Sequence, residues 1–305
     1  MRAIAFSEFG PPEVLRLVEL PTPAAGPGQV RVRIRAAGVQ PYDCALRAGW
    51  TPPGVTGGFP RIPGNEFAGV VDQIGPGVGA SGITVGAEVL GFGQLNCYAE
   101  YLVVPADQVT AKPPEMPWAV AGGFTAGAQT AHIALAELGL GKGDTLLVHA
   151  AAGAVGTVAV QLAVDRGATV IGTAREENHD YLRSLGAIPV AYGDGLLDRV
   201  RALAPDGVDA ALDGAGGAAL EVSLALVPAR DRIVTLVEHA RAPELGVRTT
   251  RNLRSAARLA ELADLYAQGR LRIHVRRTYP LARAADAHRE VESRHGRGKV
   301  VLLVD

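Results

Sequence analysis

The chain has 305 residues, nearly half of them apolar and a fifth charged, with a formal net charge of -1. That length accommodates two domains of roughly 100 to 200 residues each. The charge balance excludes the basic footprint of a nucleic-acid or anionic-membrane binder, so the expected partner is a small molecule.

The longest apolar runs, such as Val300 to Val304, fall far short of the ~20 residues of a membrane-spanning helix. The N-terminal stretch MRAIAFSEFGPPEVL has no charged segment leading into an apolar run and no small-residue cleavage site, so a cytoplasmic protein is expected. Cys44 and Cys97 stand apart from each other and from any His cluster, which gives neither a disulfide framework nor a zinc-ligand pattern. They read as small buried thiols.

In chain order, the first third carries short β-rich runs broken by Gly and Pro. QVRVRIRAAGV alternates with period two, EFAGVVDQIG follows a Pro-Gly turn, and EYLVVPA ends in Pro. From about Pro117 apolar strands alternate with helices: strand Thr145 to His149, helix Thr157 to Asp165, strand Thr169 to Thr173, helix Asn178 to Leu185 and strand Pro189 to Tyr192. Helix Leu197 to Leu203, strand Val208 to Asp213, helix Ala218 to Leu226 and strand Arg232 to Val237 continue the series. Strict alternation implies a doubly wound parallel sheet covered on both faces. A polar helical stretch, Asn252 to Gln268, precedes strand Leu271 to Arg276, helix Leu281 to Ser293 and a last strand in GKVVLLVD. The ending returns to the style of the first third. A nucleotide domain at 117–268 is therefore expected inside a β-rich domain at 1–116 and 269–305, with a cleft between them.

The stretch LLVHAAAGAVGTVAVQLA is a strand entering a helix through small residues. Ala151, Gly153 and Gly156 occupy the positions of a G-x-G-x-x-G dinucleotide fingerprint, with Ala154 and Val155 inside the turn. Small residues there let the backbone approach a pyrophosphate, which rests on the free N-H groups and positive dipole end of the helix. A tight turn with close packing and no ligand is the alternative. The preceding strand, the following helix and four further strand-helix units favour the dinucleotide.

The ribose-binding acid should end the second strand, yet Thr173, Ala174 and Arg175 stand there. A hydroxyl followed by a guanidinium suits a 2'-phosphate, which favours NADPH over NADH. A solvated surface charge is the competing reading of Arg175, and Glu176 and Glu177 argue against the phosphate or act as ordinary helix-dipole partners. Tyr192 either flanks the adenosine or caps an apolar edge. Gly214 to Gly216 and Leu236 to Glu238, including Val237, fall at the carboxyl edge where such sheets bind ligands. His149 reads as packed or hydrogen-bonded.

With these residues go AAGVQPYDCALRAG, IPGNEFAGVV, YAEYLVVPAD, LVHAAAGAVG, GTAREENHDYLRSLGA and RGKVVLLV, in that order. The ordered set resembles a zinc-independent medium-chain dehydrogenase/reductase of the quinone oxidoreductase, zeta-crystallin-like group over essentially the whole chain. The resemblance implies a Rossmann doubly wound sheet inserted into a GroES-like domain. The family's zinc alcohol dehydrogenases place a Cys, a His and a second Cys around a catalytic zinc. The corresponding positions here are Gln40, Asn65 and approximately Gly122, which supply no thiolate or imidazole. A metal-free reductase follows, passing hydride from NADPH to an already electrophilic quinone or α,β-unsaturated carbonyl compound.

The segment GVQPYDCALRAGW lines the family's cleft beneath the nicotinamide. It departs from the family pattern in having Gln40 for the usual Asn, and it retains Asp43 and Arg47. Gln40 and Tyr42 are the candidates to orient the acceptor carbonyl or the nicotinamide, with Tyr42 a candidate proton donor. Asp43 and Arg47, at i and i+4, read best as a helix-surface ion pair shaping the site from behind. Trp50 is an apolar wall or core. Thr130 matches the Thr of the family's G-L-T-A segment, near the nicotinamide ribose, with Gln129 replacing Leu. GVRTTRNLRSAARL is shorter than the family usually has before its late helix, and a homodimer is expected by resemblance. Alternatives are a stand-alone enoyl reductase or redox-neutral tailoring enzyme of polyketide biosynthesis, or a non-catalytic NADPH-binding protein.

Overall fold

The computed structural model describes residues 1–51, 55–56, 58–293 and 296–305. Two units form: one from Met1–Ala126, Ser255–Ala267 and His274–Asp305, the other from Gly127–Arg254 and Gln268–Ile273. The first opens with strands β1 (Arg2–Ala5), β2 (Arg16–Glu19) and β3 (Gln29–Val39), helix α1 (Pro41–Arg47), strands β4 (Glu66–Ile74), β5 (Glu88–Phe92), β6 (Tyr101–Pro105) and β7 (Val109–Ala111), and helix α2 (Trp118–Gly122). Helix α3 (Thr125–Glu137) leads into β8 (Thr145–Val148), α4 (Ala154–Asp165), β9 (Thr169–Ala174), α5 (His179–Ser184), β10 (Ile188–Ala191) and α6 (Leu196–Leu203). Then come β11 (Ala210–Asp213), α7 (Ala218–Leu226), β12 (Ile233–Thr235), α8 (Ala242–Leu245) and β13 (Arg248–Thr249). The chain returns to the first unit with α9 (Ala256–Ala267), β14 (Val275–Pro280), α10 (Ala284–Glu292) and β15 (Lys299–Leu303).

In β3 the period-two pattern does what a half-buried strand requires. Val30, Val32 and Ile34 are buried while the intervening arginines are partly or fully exposed. From Ala36 onward every residue of β3 is buried. There the C-terminal strand β15 runs antiparallel beside it, Val300 opposite Val39, so the two ends of the sequence share one seven-stranded sheet. Its core gathers Val32, Ile34, Phe67, Val71, Leu102 and Leu302.

The second unit has a six-stranded sheet in the order β10-β9-β8-β11-β12-β13, every neighbour parallel. Its central strands are buried throughout or nearly so, as both-face coverage demands, and Leu147, Ile171, Ala211 and Ile233 join in one core. This is the doubly wound arrangement. The short segment after the fifth strand still supplies an edge strand, the two-residue β13.

Some bounds differ from the sequence reading. α2 lies on β3 and β4, and Tyr266 of α9 meets Phe124 edge-on at 6.1 Å, so both helices join the first unit. The sequence borders at 116/117 and 268/269 do not resolve these exchanges. The expected strand at Leu271 begins only at Val275, because Gln161 grips the backbone of Arg272 on both sides: its amide donates to Arg272 O and its oxygen accepts the Arg272 N-H, each at 2.9 Å. The expected helix Asn178 to Leu185 forms as α5, His179–Ser184, with a 3-10 turn, Glu176–Asn178, leading into it. Among the described residues no helix is long and apolar enough to cross a membrane.

Candidate active site

In the second unit the parallel strands end at one edge. His149 to Gly156 follow β8, Arg175 follows β9, Tyr192 follows β10, Gly214 to Gly217 follow β11 and Leu236 to Glu238 follow β12. After β8 the chain turns through Ala150 in the left-handed region, φ +56°, and Gly153 N-H donates to Ala150 O at 2.9 Å. Helix α4 then starts at Ala154 with no side-chain cap. The first-turn N-H groups of Ala154, Val155 and Gly156 have no partner within the helix and carry its positive dipole end.

Gly156 is required sterically: a Cβ would lie 2.6 Å from Ala151 Cα and closer still to Ala150 O. Ala151, where the fingerprint has its first glycine, is fully buried and donates its N-H to Thr173 O at 3.0 Å. Its methyl fits because the facing residue of β9 is Gly172, where a Cβ would sit 2.9 Å from it. The glycine missing from the turn is found on the next strand.

Thr173 and Ala174 are buried at the end of β9, and Thr173 Oγ1 accepts the Ala150 N-H at 3.3 Å. Arg175 Nε donates to the Tyr192 hydroxyl at 2.9 Å, joining the ends of β9 and β10 at the surface. Both side chains are well exposed. Gly214 adjoins His149, and Leu236 N-H donates to Asp213 O at 2.8 Å. Val237 is half exposed. Thr130 lies half-buried on α3, and none of these bonds reaches it.

Beneath this edge lie His149 and a polar network around Asp213 and Thr235, of which the sequence had marked only His149 and Glu238. His149 is buried between Ser223 Oγ at 3.0 Å and Thr173 Oγ1 at 3.4 Å, and burial lowers its pKa to about 4 against the pull of Asp213. It is packed and hydrogen-bonded, as expected. Asp213 accepts the Ala215 and Gly216 N-H groups at 2.9 and 2.8 Å and the Thr235 hydroxyl at 2.8 Å. Thr235 in turn accepts the Glu238 N-H at 3.1 Å, and Glu238 accepts the Gly217 N-H at 2.9 Å. The loops after β11 and β12 are thereby preset. The only sequence signal was the position of these polar residues at apolar strand ends.

In the first unit Gln40 sits at the start of α1 and is 8% exposed. Its N-H donates to Asp43 Oδ2 at 2.9 Å. Asp43, fully buried, also accepts the Gly64 N-H and the Tyr98 hydroxyl, both at 3.1 Å. Burial raises its pKa to about 7 despite these donors. The ion pair expected between Asp43 and Arg47 does not form. Spacing i, i+4 does put both on one face, but α1 packs on α10 and each finds partners off its own helix. Arg47 donates to Gly10 O at 2.9 Å and pairs with Glu292.

Tyr42 is half-buried and meets Trp50 edge-on at 5.3 Å; Trp50 is 45% exposed and so belongs to the surface, not the core. Both cysteines are buried, and burial pushes the Cys44 thiol well up. His288 on α10 is fully buried and, among the described residues, has no hydrogen-bond partner at either ring nitrogen; its ring lies edge-on to Tyr98 at 5.8 Å. Burial and then Arg47 lower its pKa to about 3.

Gln40 Nε2 donates to Glu66 Oε1. Glu66 is completely buried; it accepts the Ala126 N-H at 2.6 Å, and the buried Lys299 ammonium lies 2.5 Å from Oε1. Neither Glu66 nor Lys299 was a sequence candidate. The motifs holding them, IPGNEFAGVV and RGKVVLLV, lie near opposite ends of the chain.

The residues do not fit a catalytic zinc. Gln40 and Asn65 offer only amides, and the Gln40 amino group is directed at Glu66. At Gly122 a Cβ would lie 2.5 Å from Ala36 Cβ and 2.7 Å from its carbonyl carbon, so no side chain of any kind fits there without displacing β3. Among the described residues no three His, Cys, Asp or Glu side chains are grouped to hold a metal ion.

Residues 26–114 match the family described as alcohol dehydrogenase GroES-like domain, and residues 185–302 the family described as zinc-binding dehydrogenase. The chain is similar to the quinone oxidoreductase of Coxiella burnetii, with 32% identity and a TM-score of 0.88 over 100% of this chain and 99% of that one. It is similar to Escherichia coli quinone oxidoreductase, solved complexed with NADPH, with 26% identity and a TM-score of 0.87 over 99% of this chain and 100% of that one. Human synaptic vesicle membrane protein VAT-1 homolog is 29% identical over 99% of this chain and 86% of that protein. The chain belongs to the medium-chain dehydrogenase/reductase family, with a doubly wound sheet inserted in a GroES-like unit as in its quinone oxidoreductases.

Proposed function

We propose that this protein is a metal-free, NADPH-dependent reductase of quinones or α,β-unsaturated carbonyl compounds. The observation that carries the reading is the uncapped start of α4, walled by Gly156, with the Arg175–Tyr192 pair at the neighbouring strand ends. The N-H groups of Ala154, Val155 and Gly156 would hold the pyrophosphate and Arg175 the 2'-phosphate, with Tyr192 steadying the guanidinium. Thr130, Ala151, Gly153, Thr173, Ala174, Gly214, Leu236 and Val237 would line the rest of the dinucleotide site.

When bound, NADPH supplies a hydride. Negative charge then develops on the acceptor oxygen and requires donors already in place. Tyr42 and Gln40 are the groups we assign to that oxygen, Tyr42 also as proton donor. Asp43 and Arg47 act from behind, anchoring α1 through Gly64, Tyr98, Gly10 and Glu292. The similarity to an NADPH complex supports the cofactor, and that to quinone oxidoreductases the acceptor class. A cytoplasmic homodimer joined at the open edge of β13 completes the proposal.

The test is purified protein with NADPH or NADH and a panel of quinones, enones and an enoyl thioester. NADPH oxidation with at least one quinone or enone is expected, and none across the panel rejects the reading. Turnover of the thioester alone would select an enoyl reductase, and tight NADPH binding without turnover a non-catalytic protein. Arg175→Ala should weaken NADPH about tenfold or more, the scale of a lost charge-assisted hydrogen bond, and leave NADH nearly unchanged.

A further inference from the structure

We infer that the buried Glu66–Lys299 pair is a positioning device that fixes the Gln40 carboxamide in one orientation and keeps that orientation electrically neutral. The inference rests on the assignment of Gln40 to the acceptor oxygen. An ionised carboxylate only accepts hydrogen bonds, so the Gln40 group facing Glu66 must be its amino group. The flipped amide would set two oxygens against each other. One amino hydrogen is thereby committed to Glu66, and the other is the donor that Gln40 retains for a ligand.

A bare carboxylate behind that amide would oppose negative charge developing on an acceptor. The Lys299 ammonium, 2.5 Å from Glu66 Oε1, cancels it. Among the described residues Lys299 Nζ has no hydrogen-bond acceptor apart from this ionic contact, and its charge acts chiefly on this carboxylate, with a smaller pull on the Asp43 carboxyl.

The surroundings are shaped to admit the pair. Glu66 begins β4 and Lys299 begins β15, on either side of β3. On β3 between them, Gly38 would drive a Cβ into the Glu66 carboxylate, and a Cβ at Gly123 would lie 2.8 Å from Lys299 Cγ. Two neighbouring positions thus lack side chains where the pair needs room. Buried ion pairs are weak sources of stability, since apolar replacements of similar volume are often neutral or better. A pair built into the centre of a sheet with its carboxylate on Gln40 calls for a role beyond stability.

The deciding variant is Glu66→Gln/Lys299→Met, which removes both charges at nearly constant volume and should fold with a Tm close to the parent. We expect kcat for the acceptor to fall at least tenfold while the Kd for NADPH stays unchanged. Gln40→Ala should lower kcat strongly in the parent and little in the double variant. Nitrogen-proton NMR reads the orientation without any turnover: the Gln40 side-chain amide should resonate away from free-amide positions in the parent and move towards them in the double variant. A folded double variant with parental kcat and an unmoved amide resonance overturns the inference, as does a Gln40→Ala effect equal in both backgrounds. A parent that reduces no acceptor defeats the assignment of Gln40 to the acceptor oxygen, and with it the kinetic half of the inference, while the amide resonance still decides whether the pair orients Gln40.

Discussion

The two units prepare polar groups for a ligand in different ways. At the strand edge of the second unit the work falls to backbone N-H groups at the start of α4, supported by neutral side chains such as Thr173, Ser223 and a His149 kept uncharged by burial, with Asp213 holding loop amides. In the first unit ionisable side chains are buried instead: Asp43 on α1, and Glu66 with Lys299 beside Gln40. Backbone donors need only small residues in a local pattern. Buried charges need partners brought from distant strands, and each is costly if its partner is lost.

The largest test of that contrast is Glu66→Gln alone, which strands the Lys299 ammonium. It should lower unfolding stability by about 3–5 kcal/mol in urea titration, with most of the loss recovered on adding Lys299→Met. Equal stability of the single and double variants would remove the distinction between the units. In the second unit Gly156→Ala puts a methyl against the Ala150–Ala151 backbone, with no flexible group to yield. Overpacking of about 1–3 kcal/mol is expected, together with weakened NADPH binding by fluorescence titration and little effect on the first unit.

A smaller effect separates the two buried imidazoles. Among the described residues His288 has no partner for either nitrogen, whereas His149 has two hydroxyls. His288→Phe should therefore stabilise by about 1–2 kcal/mol at neutral pH, reversing the usual outcome of a core substitution. Both histidines have folded pKa values below the ordinary 6.5, about 3 and about 4, so the unfolded chain binds more protons and stability rises with pH from about 4 to 6.5. Asp43 acts with the opposite sign: its pKa is raised from 3.8 to about 7, so its contribution falls as pH rises through that window. His274, its pKa also lowered by burial, acts in the same direction, so the histidines outweigh the aspartate in the parent. In His288→Phe one of these contributions is lost, and the rise in stability between pH 4 and 6.5 should become shallower. Denaturation midpoints across that range check both statements. Smallest of all, Arg183→Ala removes a pair with Asp180 in which both side chains are mostly exposed, and the midpoint should not move measurably.

The sequence by itself determined the class of fold and half of the candidate site. Alternating strands and helices, the turn through Ala151, Gly153 and Gly156, and Arg175 at the next strand end are local patterns, because a strand-to-helix turn is made by consecutive residues. Even the departure at Ala151 is resolved one strand away, at Gly172. The motifs also located α1 and the residues on it. Only the tertiary structure decided what those residues touch. Spacing made Asp43 and Arg47 an ion pair, yet burial against α10 gave Arg47 to Glu292 and Asp43 to Gly64 and Tyr98. Glu66 and Lys299 meet across β3, at a register set by sheet pairing between the two ends of the chain, and no local pattern of residues carries that information.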